Sequence, residues 1–183
     1  MRRSPSSVSQ SPHALALEDP RGDVLADVLG TSLLRNAMYR RIECGAPWGM
    51  EVPALAPGNV DKSMAAPVTA ILAYDVAWYE QLGRLTPSRP ESRERFAAMP
   101  AAERDRLADL NALLQAGYLI LAARAVGLDC GPMGGFDRAK VDAAFFPDGA
   151  WRSLLLVNLG HGDPTRLFPR QPRLDFDDVC RLA

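Results

Sequence analysis

The chain has two histidines and three cysteines in 183 residues, and Cys44, Cys130 and Cys180 stand far apart with no C-x-x-C pair. An odd number of such scattered thiols argues against a zinc site or a disulfide framework. Reduced structural thiols in the cytosol are the expectation. Charge of one sign is also lacking: 21 basic residues oppose 22 acidic ones, for a net charge of −1. That leaves no electrostatic footprint for nucleic acid or an anionic membrane. No apolar run approaches the ~18 residues of a membrane span. Neither P-loop, G-x-G-x-x-G, H-E-x-x-H nor kinase signature is present. His161 lies between two glycines with no serine or cysteine motif beside it, so no triad is assigned. The acids lack ligand spacing, so no metal is assigned either, and no side chain is put forward as catalytic.

What is present suits one globular domain: 48% hydrophobic and 23% charged residues. Ala65 to Asp75, "AAPVTAILAYD", is a β-branched apolar run that predicts a buried strand. "DVAWYEQLG" follows as a short helix or loop. Leu82 to Pro100, with three prolines and many charges, predicts a surface excursion that could act as a mobile lid. Ala101 to Val126 carries the strongest helical period, with Leu107, Leu110, Leu114, Tyr118 and Leu121 at steps of three and four. Its later part is apolar nearly all round, which predicts a central helix. A second helix is expected over Asp137 to Phe145 and a strand over Leu154 to Leu159. The tail from Thr165 reads as extended. Mixed elements in this order predict an α+β or α/β core.

Three features carry possible chemistry. Gly131, Pro132, Met133, Gly134 and Gly135 follow the long helix. They are either a plain interhelical turn or a backbone ledge that a flat ligand can approach closely. In the tail, Arg166, Arg170 and Arg173 are either solvated charges or a clamp for a phosphate, which the guanidinium fork suits. "APGNVDK" places Asn59 and Lys62 in a turn or beside a pocket.

The segments "PALAPGNVDKSMAAPVTAILAYD", "NALLQAGYLILAARAVGLDCGPMGGFDRAKVDAAFF" and "LLLVNLGHGDPTRLFPRQPRLDFDD" closely resemble the nitroreductase-like FMN flavoprotein family. Within it they are most similar to the malonic semialdehyde reductases of bacterial uracil (pyrimidine) degradation. The resemblance runs from about Val52 to the C-terminus. It implies an α+β, three-layer α/β/α sandwich, a cytoplasmic homodimer, and FMN bound at the subunit interface. It also implies ping-pong hydride transfer: NADH or NADPH reduces flavin N5, and a second substrate then takes the hydride. That substrate would be malonic semialdehyde, a short aldehyde acid, giving 3-hydroxypropanoate. A nitro or quinone acceptor is the alternative, since one fold serves many acceptors. By the same resemblance, Pro132, Met133, Gly134 and Gly135 match the segment beside the flavin ring, Arg170 and Arg173 the basic pair near the phosphate, and Lys62 and Asn59 polar contacts to the flavin.

The family's N-terminal signature, Arg-Thr-His-x-x-Trp followed by a Gly-Pro-Thr-Ser-Ala-Asn loop, is missing from residues 1–50. Only a possible short helix at Asp23 to Leu34 is legible there, and its period is weak. If "QSPHALALE" is read one nucleotide later, permitted codons give Ser-Arg-Arg-Thr-His-Trp-Arg-Trp-Lys. The same shift of "VLGTSLLRNAM" permits Trp-Gly-Pro-Pro-Ser-Ser-Ala-Thr-Pro. The expected organisation is thus residues 1–50 as an atypical, out-of-frame segment and 51–183 as the nitroreductase-like domain. The alternative is a different N-terminus, and with it a flavin-free remnant or binding domain. Sequencing the coding DNA tests this: one single-nucleotide shift should restore both motifs, and its failure to do so rules the frame shift out.

Overall fold

Strand β2, Val68–Asp75, is buried from Thr69 to Tyr74 without a break, so both faces of this strand are covered. Its neighbours explain how. In the computed structural model, which describes residues 54–182 and the backbone of 37–43, four antiparallel strands form one sheet in the order β1-β2-β4-β3. These are β1 (Ala37–Glu43), β2, β3 (Asp129–Met133) and β4 (Trp151–Gly160). Ile71 and Ala73 face one side, where they pack with Leu55, Met133, Val141 and Leu156. Ala70 and Leu72 face the other, against Ala116, Leu119 and Val157. Helices cover both sides, which makes the three-layer sandwich expected from the resemblance. The first face carries α1 (Pro57–Ala65) and α5 (Arg138–Phe145); the second carries α4 (Ala101–Ala125).

A register shift adjusts the sheet to that load. Leu72 pairs with Leu155 but Ala73 pairs with Ser153, so Leu154 is an extra residue in β4. A bulge turns two successive side chains to one side. Leu154 therefore joins Tyr74, Trp78, Ala108 and Ala112 beneath α4.

The long helix forms where its period predicts, between Pro100 and Gly127, whose φ of 88° takes the chain out of the helix. Its orientation is the reverse of a leucine-inward helix. The buried face is Ala108, Ala112, Gln115, Ala116, Leu119, Ala122 and Ala123. Leu110, Leu113, Leu114, Tyr118 and Leu121 are between 49% and 68% exposed. Alanines let the helix axis approach the sheet closely, and the bulky residues are left on the far side.

Residues 82–100 differ from the mobile lid considered for them. They hold α2 (Leu82–Leu85) and α3 (Ser92–Ala97), and the Phe96 ring packs 4.8 Å from that of Trp78. Arg104 donates to the carbonyls of Ala97 and Met99 at 3.1 and 2.6 Å, and Arg93 pairs with Glu80 at 2.8 Å. The ring contact and the Arg93–Glu80 pair hold the segment against the 3-10 turn Trp78–Gln81, and the Arg104 bonds hold its end to the start of α4.

Strand β1 also departs from expectation, because the sequence shows no convincing element there. The backbone of Ala37–Glu43 pairs with β2 along its whole length. Ladder hydrogen bonds come from the backbone, so a strand can be specified by its partner rather than by its own side-chain period. Residues 1–36 and 44–53, including the helix considered at 23–34 and Cys44, lie outside the described residues. Beyond β4 the chain continues as an arm, with a 3-10 turn at Pro164–Arg166 and a short helix α6 (Phe176–Val179). Every residue from 161 to 182 is exposed. Among the described residues, no helix is long and apolar enough to cross a membrane.

Candidate functional site

The glycine-rich segment is not a plain interhelical turn, since its first half is a strand. Leaving α4, the Leu128 amide donates back to the Ala123 carbonyl at 2.9 Å. The chain then enters β3, where Cys130, Gly131 and Pro132 pair with Leu159, Asn158 and Val157 of β4. Among the described strands β3 is an edge of the sheet, the place where a proline without an N–H is tolerated. The strand alternates: Met133 points into the core, while Pro132 and Gly134 are exposed.

Gly134 and Gly135 are glycines for different reasons. A Cβ at Gly134 would have nothing within 4 Å, so this part of the backbone lies open to approach. A Cβ at Gly135 would stand 2.8 Å from Asn59 Nδ2 and 3.2 Å from the Ala56 Cβ. The segment is thus free on one side and closed on the other.

What closes it is α1. "PGNVDK" forms a helix here rather than a turn, opened by Pro57 at its first position, where the missing N–H costs nothing. Asn59 Nδ2 donates to the Gly135 carbonyl at 3.0 Å, and the Ala56 amide donates to the same oxygen at 2.9 Å. Lys62 lies exposed in the last turn of α1. The structure therefore brings Asn59, Pro132, Met133, Gly134 and Gly135 together, with Lys62 on the adjoining helix. A flat group could lie against the open Pro132 to Gly134 backbone, which is the fit a flavin ring requires.

Arg170 and Arg173 are not joined to this group by any hydrogen bond. Both stand on the exposed arm, where Arg173 Nη1 donates to the carbonyls of Gln171 and Pro172 at 2.7 and 3.2 Å. The arm leaves the sheet along a fixed path. The Gly162 amide donates to Asp129 Oδ2 at 2.7 Å, and the other Asp129 oxygen pairs with Arg124. Just beyond, Asp163 accepts from the Thr165 hydroxyl and amide at 2.7 and 2.9 Å, and these bonds hold its carboxyl below the usual range. Cys130 shows the opposite effect: burial raises its thiol, against a smaller opposing influence of Arg124. It is a structural thiol rather than a poised nucleophile.

Sequence reasoning missed the polar residues behind the ledge. Ser63, Thr69 and Asn158 meet beneath Met133, and Ser63 and Thr69 are buried. The available signal was a lone threonine in "VTAILAY" and a lone asparagine in "LLLVNLG", each a polar residue in an apolar strand.

Comparison with known proteins follows the same lines. A family model described as "Nitroreductase family" matches residues 18–161. Proteins named "Putative NADH dehydrogenase/NAD(P)H nitroreductase" from Leptothrix cholodnii and Burkholderia lata are 55% and 58% identical over 131 and 130 residues. Those matches cover 72% and 71% of this chain but only 66% of each relative. Among solved structures, a nitroreductase family protein from Streptococcus pneumoniae aligns with a TM-score of 0.73 at 18% identity, over 90% of both chains. A protein from Exiguobacterium sibiricum, solved in complex with FMN, aligns with a TM-score of 0.71 at 18% identity, over 88% of this chain and 84% of that one. At such identities the likeness is one of fold.

The two glycines respond differently to a methyl group. Gly135→Ala should lower stability by about 1–2 kcal/mol through displacement of Asn59 and its hydrogen bond. Gly134→Ala should change it by less than about 0.5 kcal/mol. Urea denaturation of both variants checks this, and equal effects would contradict the asymmetry.

Proposed function

Because the chain belongs to the nitroreductase family, we propose that it is an oxidoreductase in which FMN relays a hydride from NADH or NADPH to a second small molecule. The observation that carries this reading is the ledge at Pro132 to Gly134, open where Gly134 offers no side chain and backed by α1 at Gly135. When bound, FMN supplies two-electron chemistry that no side chain of this chain offers. The protein's part is to bind and orient. The backbone of Pro132, Met133, Gly134 and Gly135 would lie beside the ring, and Lys62 and Asn59 would supply polar contacts to the flavin from α1. Arg170 and Arg173 would supply guanidinium forks for the phosphate, a task for which arginine suits better than lysine. No acid or base on the protein has to be invoked for the hydride itself.

The acceptor we favour is malonic semialdehyde, whose aldehyde carbon takes the hydride and whose oxygen takes a proton, giving 3-hydroxypropanoate. The long motif resemblance from Val52 onward supports it. The relatives' names point instead to nitro compounds. Comparing NAD(P)H oxidation with malonic semialdehyde, a nitroaromatic and a quinone decides among them.

The active form in this reading is a homodimer. Leu110, Leu113, Leu114, Tyr118 and Leu121 line the outer face of α4, and the arm adds Leu167, Phe168, Leu174 and Phe176, with Phe168 91% exposed. A row of exposed leucines along one helix face, with more large apolar side chains on the arm, suits a surface that a second copy covers. An arm whose hydrogen bonds among the described residues stay local, apart from the Gly162 tether, is suited to lie across a second copy.

Two measurements test the proposal. Purified protein should carry the visible absorbance of flavin and release FMN on denaturation. Gly134→Leu should then weaken FMN binding at least about tenfold by filling the open ledge, while leaving the melting temperature of the FMN-free protein nearly unchanged. Protein that stays colourless with added FMN supports the flavin-free reading, which the missing N-terminal signature favours. For the dimer, Leu114→Glu should shift sedimentation from two copies to one, and an unchanged assembly state would refute the α4 interface.

A further inference from the structure

Behind the ledge, four side chains from four different elements form a directional hydrogen-bond chain. Thr69 of β2 donates its hydroxyl to Asn158 Oδ1 at 2.8 Å. That bond fixes which way the Asn158 amide faces on β4. Asn158 Nδ2 then donates toward Ser63 Oγ of α1 at 3.4 Å and toward Met133 Sδ at 3.9 Å. Ser63 Oγ closes the chain by donating to Met133 Sδ at 3.5 Å. Met133 is the inward-pointing side chain of the ledge. Asn158 also pairs directly with Gly131 across the β3–β4 ladder, and its Cβ lies 3.5 Å from where a Gly131 Cβ would stand.

The magnitudes divide the labour. Hydrogen bonds to sulfur are weak, and those at 3.5 and 3.9 Å contribute little energy. Packing of Met133 with Leu55, Ile71 and Leu156 does the holding. The polar chain contributes direction. Burying two hydroxyls and partly burying an amide disfavours folding unless all are satisfied, whereas a satisfied network admits one arrangement of the elements it joins. The elements joined here are α1, with Asn59 and Lys62, and β3, with the ledge.

We propose that Asn158 is a positioning residue for the flavin edge, which through Ser63 and Met133 sets the height of the Pro132 to Gly135 backbone relative to α1. This rests on the flavin reading for its purpose, though not for its geometry. Hydride transfer depends steeply on distance, and a displacement of about 1 Å can cost about a hundredfold in rate. A ledge that meets its ligand with backbone presents no side chain on that side to correct its height, so its seat has to be held from behind.

The test compares Asn158→Leu, Thr69→Val, Ser63→Ala and Ser63→Thr by amide hydrogen exchange in the FMN-free protein, then by FMN dissociation and the flavin visible spectrum. In Asn158→Leu and Ser63→Ala, the amides of Ala56, Phe136 and Asp137, whose hydrogen bonds to the Gly135, Gly134 and Ala54 carbonyls seat the ledge on the approach to α1, should exchange up to about tenfold faster while those of β1 and β2 keep their rates. Ser63→Thr, which keeps a hydroxyl, should restore the slow exchange. With FMN bound, the two disruptive variants should shift the flavin spectrum and release FMN faster. Should Asn158→Leu fail to fold, the isosteric Thr69→Val and Ser63→Ala decide. Unchanged exchange at Ala56, Phe136 and Asp137, or acceleration spread evenly over β2, β3 and β4, overturns the proposal. If the parent protein takes up no FMN, the flavin reading fails on its own, and the exchange comparison still decides whether Asn158 positions the ledge.

Discussion

The ledge rests on the ladder between β2 and β4. Strand β2 is covered on both faces, so its register against β4 cannot slip by one residue without turning Ile71 and Leu72 to the wrong layers. Strand β4 in turn holds β3 as an edge, and β3 ends in Met133 and the two exposed glycines. The site is therefore a consequence of the sheet rather than an addition to it. A backbone that is to meet a ligand directly has to inherit its rigidity from what stands behind it, and here that support is a buried strand, a bulge and a short polar chain.

The same economy governs α4. Its alanines make a close seat on the sheet, and the leucines that a self-contained helix would bury lie outside. Charge plays a subordinate part. Most ion pairs of the described residues are surface pairs such as Arg93 with Glu80 or Lys140 with Asp137, whose individual contributions are small. Asp129 has a more definite task, because its two oxygens tie Arg124 at the end of α4 to Gly162 at the root of the arm. The direction in which the arm leaves the body is built into the helix end and the sheet edge together.

Much of this was legible in the sequence. Strand β2, the long helix, α5 and β4 follow from periodicity and from their capping residues: Asp137 does accept from the Lys140 amide, as an N-cap should. The glycine ledge was legible as a place of close approach but not as a strand, because Gly-Pro composition points to turns while the edge of β4 offers a ladder. Helix α1 was hidden by "APGN", which reads as a turn until Pro57 is placed at the first helical position. The facing of α4 was misjudged for a simpler reason. Periodicity marks a stripe, and nothing in one chain says whether its own sheet or another surface will cover it. Ser63, Thr69 and Asn158 are separated by up to 95 residues, so their meeting appears only once the sheet is assembled.

The order of the strands also governs how the chain must fold. Thr69 and Asn158 meet across 89 residues, and β4 is the last strand to be made. During synthesis, β2 waits without its central partner while the whole of α4 has already been extruded. Helix α4 can form early from local contacts, but until β4 arrives both its alanine face and its leucine face stand open to water. The wait for a distant strand makes this fold dependent on slow, non-local closure. Its period of greatest exposure to misassociation falls just before the ledge comes into being.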